Sequence, residues 1–221
     1  MVALCGANGS GKTTLLRTLT RSIKPTSGEI RIYDSDIHSL PPHFYARLVS
    51  YLPQTRPTPQ ITVSALVSHG RFPYLEFPRR LNREDRARVN DAIDLLGLSD
   101  LRYKLLTELS GGERQRVYLA MQLVQDSHFM LLDEPTAHLD MRHQFETLSL
   151  LRSFANNERG ILLVLHDLAA AANYADRVII MHEGRLVLNA TPNVLPRSRI
   201  VADTLGVRLV EFNGRYTVVP I

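Results

Sequence analysis

The sequence predicts an α/β fold in which a mainly parallel sheet is flanked by helices and interrupted by a purely helical stretch. Three observations carry this. Short apolar runs of strand length alternate with amphipathic helical patterns along most of the chain. A glycine-rich turn, Gly6-Ala7-Asn8-Gly9-Ser10-Gly11-Lys12-Thr13, separates the first such run from the first helical one. Residues 62–125 show helical periodicity with no strand pattern among them.

Taken in order, Val2–Cys5 reads as a buried strand, and Thr14-Leu15-Leu16-Arg17-Thr18-Leu19 as the helix that follows the turn. The turn fits G-x-x-x-x-G-K-[ST], whose glycines let the backbone wrap phosphate oxygens ahead of a helix N-terminus. In that pattern Lys12 reaches the β- and γ-phosphates and the Thr13 hydroxyl holds Mg²⁺. Gly28–Ile32 reads as a short alternating strand, and Val49–Leu52 as a core strand. In the helical stretch, Val89, Ala92, Ile93 and Leu96 share one face, as do Val117, Ala120, Met121 and Val124. Between these faces, the Pro/Arg-rich segment Arg71–Arg80 reads as an exposed loop. Phe129–Leu132, Ile161–Leu165 and Val178–Met181 complete the core strands. Asn213-Gly214, set between the alternating runs Val207–Phe212 and Arg215–Val219, predicts a two-residue hairpin. One domain is expected: a phosphate-loop (P-loop) NTPase core over residues 1–61 and 126–221, with a helical subdomain over 62–125.

Composition narrows the function classes. Apolar content of 44% and charged content of 22% are those of an ordinary globular domain. The lone cysteine, Cys5, excludes a disulfide framework and reads as a small buried hydrophobe. The net charge of +4 is spread without a basic stripe, which argues against a nucleic-acid partner. No apolar run reaches bilayer-spanning length, and no leader pattern precedes the first strand, so any membrane role is expected to be peripheral.

Phe129-Met130-Leu131-Leu132-Asp133-Glu134 is an apolar strand ending in two carboxylates. Beside a phosphate loop, such a strand end delivers Asp133 to Mg²⁺ and Glu134 toward the γ-phosphate. Leu109-Ser110-Gly111-Gly112-Glu113 opens the helical run Arg114–Gln125, with Ser110 as the candidate cap. L-S-G-G-E followed by R-Q-R, then an apolar strand and D-E-P-T, resembles the ATP-binding cassette family, the motors of ABC transporters. The resemblance spans essentially the whole chain, with its motifs in the family order.

That resemblance implies the remaining roles. Gln54, after the strand ending at Leu52, matches the glutamine that senses Mg²⁺ and the attacking water and links core to helical subdomain. His166 matches the switch histidine on the γ-phosphate, and Glu134 the general base. Thr14 lies with the phosphate-loop residues on ATP. Within Ala137-His138-Leu139-Asp140, which matches the loop that crosses to the partner subunit, Asp140 has a role to inherit and His138 reads as ordinary. Ser110 and the Gly111 and Gly112 amides would bind ATP held by a second copy, so a head-to-tail homodimer is implied. ATP and Mg²⁺, transmembrane permease subunits and, indirectly, a substrate-binding protein complete the expected set, at the cytoplasmic face of the membrane.

Ser68-His69-Gly70-Arg71-Phe72-Pro73-Tyr74 and Leu165-His166-Asp167-Leu168-Ala169-Ala170-Ala171 are similar to segments of importers for ferric siderophores, haem and cobalamin. Related cassettes carry further residues ahead of the phosphate loop, forming antiparallel strands and an aromatic stack on adenine. Such a stack is worth on the order of 1–3 kcal/mol. Neither element is expected here, which a start placed too far downstream explains better than a truncated cassette, since the motifs are intact. Rival readings fare worse. Chromosome-maintenance ATPases place a long coiled coil between phosphate loop and signature, where this chain has only a compact helical stretch between Lys12 and Ser110; translation factors carry two cassettes, exporters carry fused spans, and a silent interaction subunit would not need Glu134 and His166.

Overall fold

The structure, a computed structural model, describes residues 1–137, 139–155 and 159–221. The reading of His138 falls outside them. In chain order the elements are β1 (Val2–Gly6), α1 (Lys12–Leu19), β2 (Arg31–Ile32), β3 (Ser35–Asp36), α2 (Pro42–Leu48) and β4 (Val49–Leu52). Then come α3 (Val63–His69), α4 (Arg83–Leu95), α5 (Gly111–Gln125), β5 (Phe129–Asp133), α6 (Met141–Phe154) and β6 (Gly160–Val164). The chain closes with α7 (Leu168–Tyr174), β7 (Arg177–His182), β8 (Arg185–Ala190), α8 (Arg199–Leu205), β9 (Val207–Phe212) and β10 (Arg215–Pro220).

The main sheet has six strands in the order β4-β5-β6-β1-β7-β8. All neighbours are parallel except the β7–β8 pair. Strand alternation sorts the apolar residues to two faces. Ala3, Cys5, Met130, Leu132, Ile161 and Leu163 face the core shared with α3 to α7, whereas Leu4, Leu131 and Val164 face Leu16, Tyr45 and Leu48 of α1 and α2. Helices cover both faces, as a parallel sheet requires.

The helical stretch forms as its periodicity predicts. Thr62, Asn82 and Ser110 each accept a backbone N–H at the start of α3, α4 and α5, the last two in full capping boxes. Val89, Ala92, Ile93, Leu96, Val117, Ala120 and Val124 are buried, and Met121 is half-buried against them. These residues join the same continuous core as the sheet residues. Gly70 lets the end of α3 meet α5 closely, since a Cβ there would lie 2.3 Å from the Met121 carbonyl oxygen.

Three expectations need correction. Gly28–Ile32 contributes only Arg31–Ile32, which pairs with β3 in a two-stranded ribbon apart from the main sheet. Tyr33 and Asp34 form its tight turn, both with positive φ, so the chain reverses before a longer strand can form. The sheet also gains β8, which the reading omitted; Glu183-Gly184, again at positive φ, turns the chain back along β7. Finally, Arg71–Arg80 is not exposed throughout. Arg71 is 7% exposed, and its Nε donates to Asp85 at 2.8 Å and its NH1 to the Val124 carbonyl at 3.1 Å. Its guanidinium also lies 3.9 Å from the centre of the Tyr74 ring. A buried cation with this many partners is a structural pin. The predicted C-terminal hairpin forms as β9–β10 around Asn213-Gly214.

Candidate functional site

Four adjacent parallel strands end on the same edge of the sheet, and the segments that leave them carry the candidate residues. β4 runs into Gln54, β5 into Glu134, β6 into His166 and β1 into the phosphate loop. An open α/β sheet binds ligands at this position, outside the carboxyl ends of its strands. Asn8, Gly9, Gly11, Lys12, Thr13, Thr14, Gln54, Glu134 and His166 line one cavity of about 410 Å³ there.

The loop is shaped by close backbone packing. Gly6 has φ +154°, and a Cβ on it would lie 2.4 Å from the Met181 carbonyl oxygen and 2.7 Å from Ser10 Oγ. The turn closes with Ser10 N–H donating to the Ala7 carbonyl at 3.2 Å, and Ser10 is buried. Helices α3 to α7 all start with a side-chain cap, but α1 has none at Gly11. Its first amides therefore lack a side-chain partner at the positive end of the helix. Lys12 Nζ donates to the carbonyls of Gly6 at 2.8 Å and Ala7 at 2.9 Å. Burial pushes its pKa below the ordinary lysine value, with the Glu134 carboxylate opposing that.

Asp133 is fully buried, and burial raises its carboxyl above the usual range, partly offset by a hydrogen bond from Thr13. Tyr51 Oη approaches Asp133 Oδ2 at 3.5 Å, while Oδ1 has no partner among the described residues. A buried carboxylate oxygen without a donor, next to a threonine hydroxyl, is the donor set a small hard cation would satisfy.

Glu134 is held from two sides. Its Oε2 accepts from Gln54 Nε2 at 2.7 Å, and its Oε1 lies 2.5 Å from His166 Nε2. Its φ of 51° is a left-handed value uncommon for a residue with a side chain. Strained backbone of this kind gathers at sites where chemistry fixes the geometry. The Glu134 side chain is 14% exposed and that of His166 49%, so the cluster opens to solvent through the histidine.

Ser110, Gly111, Gly112 and Asp140 do not line this cavity. Ser110 caps α5, with Glu113 N–H donating to its Oγ at 3.3 Å and its own N–H donating to Glu113 Oε2 at 2.7 Å. A Cβ on Gly111 would meet no atom of the described residues within 4 Å beyond its chain neighbours and its own helix backbone. Asp140 caps α6 and contacts His143 Nδ1 at 2.8 Å; this partner holds its carboxyl below the usual range. Cys5 is buried with its thiol pushed up to about 12, as expected of an inert core residue.

The sequence reading missed a polar stripe along α5. Gln115, Tyr118, Gln122 and Gln125, spaced three, four and three residues apart, face the segment that carries Gln54. Tyr118 Oη donates to the Pro57 carbonyl, Gln122 Nε2 to that of Tyr51 at 3.2 Å, and Gln125 Nε2 to that of Ala46 at 2.8 Å. Gln115 accepts from Arg56 and donates to the Pro135 carbonyl. The only local sign was the spacing itself, which also suits a solvated face.

Asp133 supplies a stability test. Its folded carboxyl titrates above the unfolded one, so ionisation costs stability at pH above both values and nothing below them. Asp133→Asn is therefore expected to raise the melting temperature of the nucleotide-free protein near neutral pH. The gain should be about 2–4 °C for each kcal/mol relieved, shrinking as pH falls toward about 4, the unfolded carboxyl value, and absent below it. Calorimetry across pH measures it, and a lower melting temperature for the variant would count against the buried-charge reading.

Comparison with known proteins agrees with this geometry. The family model described as ABC transporter matches residues 1–137. The petrobactin import ATP-binding protein FpuC of Bacillus anthracis is 38% identical over 97% of this chain and 79% of its own length. The ferric enterobactin transport ATP-binding protein FepC of Escherichia coli strain K12 is 38% identical over 99% of this chain and 83% of its own. An inward-facing metal-chelate type ABC transporter superposes with a TM-score of 0.83 at 24% identity, covering 100% of this chain and 86% of that one, a likeness of fold. The motifs, the sheet edge that gathers them and these relatives together show that the chain belongs to the ABC transporter family, as an ATP-binding, ATP-hydrolysing subunit.

Proposed function

We propose that this chain is the ATP-hydrolysing motor of an importer for a ferric siderophore or a related iron, haem or corrin chelate. The observation that carries the hydrolytic reading is Glu134 gripped between Gln54 and His166 at the mouth of the phosphate loop. The substrate reading draws support from relatives whose names specify petrobactin, enterobactin and hydroxamate import.

Phosphoryl transfer to water is largely positioning and electrostatic stabilisation. Residues 6–14 cradle the triphosphate, with Lys12 redirected from loop carbonyls to phosphate oxygens. Thr13, Asp133 and Gln54 would hold Mg²⁺, which when bound neutralises charge on the β- and γ-phosphate oxygens. Glu134 accepts a proton from the water that attacks the γ-phosphorus, while the bond to the β-phosphate oxygen breaks and ADP leaves. Both Glu134 oxygens are engaged in this structure, so one partner must yield its place to the water. His166 then stays beside the γ-phosphate as a donor.

Ser110, Gly111, Gly112 and Asp140 act toward a second copy in a head-to-tail dimer. The open space around Gly111 supports this, because among the described residues no contact outside its own helix calls for glycine there. Among the described residues no helix is long and apolar enough to cross a membrane. In this reading, which draws on relatives named as import or transport ATP-binding proteins, separate permease subunits form the path. The chain docks on them from the cytoplasmic face through the helical subdomain, residues 62–125, while residues 1–61 and 126–221 form the nucleotide-binding core. A substrate-binding protein delivers the chelate to the permease. Deleting the gene and measuring uptake of labelled ferric siderophore, haem and cobalamin under iron limitation tests the substrate class. Loss of at least one uptake is expected; normal uptake of all three in a strain with no second cassette would overturn it.

A further inference from the structure

We propose that Gln115 is a positioning residue for hydrolysis, holding Glu134 and Gln54 in register with the first turn of α5. The inference rests on the hydrolytic reading of Glu134 given above.

Gln115 is 7% exposed, although it lies in the charged run Glu113-Arg114-Gln115-Arg116. Both ends of its amide are used. The Oε1 end accepts from Arg56 NH1, and the Nε2 end donates to the carbonyl of Pro135, the residue after Glu134. Arg56 in turn donates from Nε to the Pro53 carbonyl at 2.8 Å, immediately before Gln54. Gln115 therefore reaches the backbone beside Glu134 directly and that beside Gln54 through Arg56, and Gln54 and Glu134 themselves meet at 2.7 Å. Burial lowers the pKa of Arg56, so its guanidinium depends on the acceptors it has, and its charge lies over the Tyr118 ring at 5.5 Å.

The peptide at Pro135 is where the constraint acts. Glu134 takes a left-handed φ of 51°, and proline at the next position fixes the following φ. A donor on the Pro135 carbonyl restrains the ψ of that residue, and so adds to the Ala137 N–H bond on the Glu134 carbonyl at 3.1 Å in holding the turn from which the Glu134 side chain projects. Because Gln115 stands five residues after Ser110 on the helix that Ser110 caps, a tilt of α5 pulls on the Pro135 and Pro53 carbonyls together. The rest of the polar stripe, Tyr118, Gln122 and Gln125, holds carbonyls of residues 46–57, so within that stripe and among the described residues Gln115 is the member hydrogen-bonded to the Glu134 turn.

The test is MgATP turnover by the purified protein carrying Gln115→Met or Gln115→Glu, each in the native and in the Glu134→Gln background. Methionine keeps the volume and removes both bonds. Glutamate keeps an acceptor for Arg56, which guards against unfolding, but has no proton for Pro135. Both are expected to lower kcat about 10-fold or more, the usual cost of a misplaced catalytic group, with KM for ATP within about twofold. In the Glu134→Gln background neither should lower the rate further, because groups that act as a unit are not additive. Native turnover in both Gln115 variants, or an equal loss in both backgrounds, would overturn the proposal while leaving Glu134 as base. If Glu134→Gln by itself left turnover unchanged, the hydrolytic reading would fall, and this proposal with it.

Discussion

Replacing Glu134 by glutamine is expected to slow ATP turnover about 10²–10⁴-fold, the usual worth of a positioned general base. The amide keeps the shape of the side chain and can still accept from Gln54 or His166, so the geometry of the cluster survives. What is lost is the basicity needed to take the proton from water. ATP binding should be retained or tightened, since one negative charge leaves a site already holding Asp133 and a triphosphate. The measurement is phosphate release together with nucleotide affinity, for the protein alone and with its membrane subunits. Unchanged release would remove Glu134 from the mechanism, and a loss of affinity matching the loss of rate would make it a binding residue.

The second large effect lies at a pair that does not line the phosphate-loop cavity. Arg71→Ala leaves the Asp85 carboxylate buried without its cation and the Val124 carbonyl without its donor. Breaking a buried pair in this way costs about 3–5 kcal/mol, against a median below about 1 kcal/mol for exposed pairs. For a domain of this size each kcal/mol lowers the melting temperature by about 2–4 °C. Replacing both partners, Arg71→Met with Asp85→Leu, should recover much of the loss, because no charge is then left unpaired. Asp85 also closes the α4 capping box, accepting from Asn82 N–H at 3.2 Å, so recovery should be incomplete. Thermal melts of the two single variants and the double variant form the cycle; additive losses would deny the coupling.

This pair also marks where sequence reading stops. The core strands were legible because buried parallel strands write continuous apolar runs, and all five predicted ones end within about a residue of their observed limits, the usual uncertainty of such boundaries. The helical faces of α4 and α5 were legible through their period. Gln54, Glu134, His166 and Lys12 could be named in advance, and the sheet order explains why they meet: β4, β5, β6 and β1 are neighbours in the sheet, although β4 and β5, and β6 and β1, are far apart in sequence. Arg71 and Gln115 were not legible. A charged or amide side chain on a loop or helix reads as solvated unless its partner is known. Here the partners are Asp85 and a backbone carbonyl in the one case, and an arginine and the Pro135 carbonyl in the other. Strand β8 was missed for a different reason. Its residues are only partly buried on a sheet edge, so the apolar signal is weak and Glu183-Gly184 was its clearest mark.

Sedimentation of the Glu134→Gln protein with and without MgATP asks most directly whether this cassette works as a nucleotide-driven pair. Residues 6–14, Gln54, Glu134 and His166 gather at one cavity, whereas Ser110, Gly111, Gly112 and Asp140 stand apart from it on the same chain. If the second group serves ATP bound by another copy, the protein should be monomeric without nucleotide and dimeric with MgATP, and ADP should not replace ATP. A Ser110→Arg change in the same background should then abolish the dimer while leaving the monomer folded. A protein that binds MgATP to saturation and remains a monomer would contradict the pairing of the two half-sites.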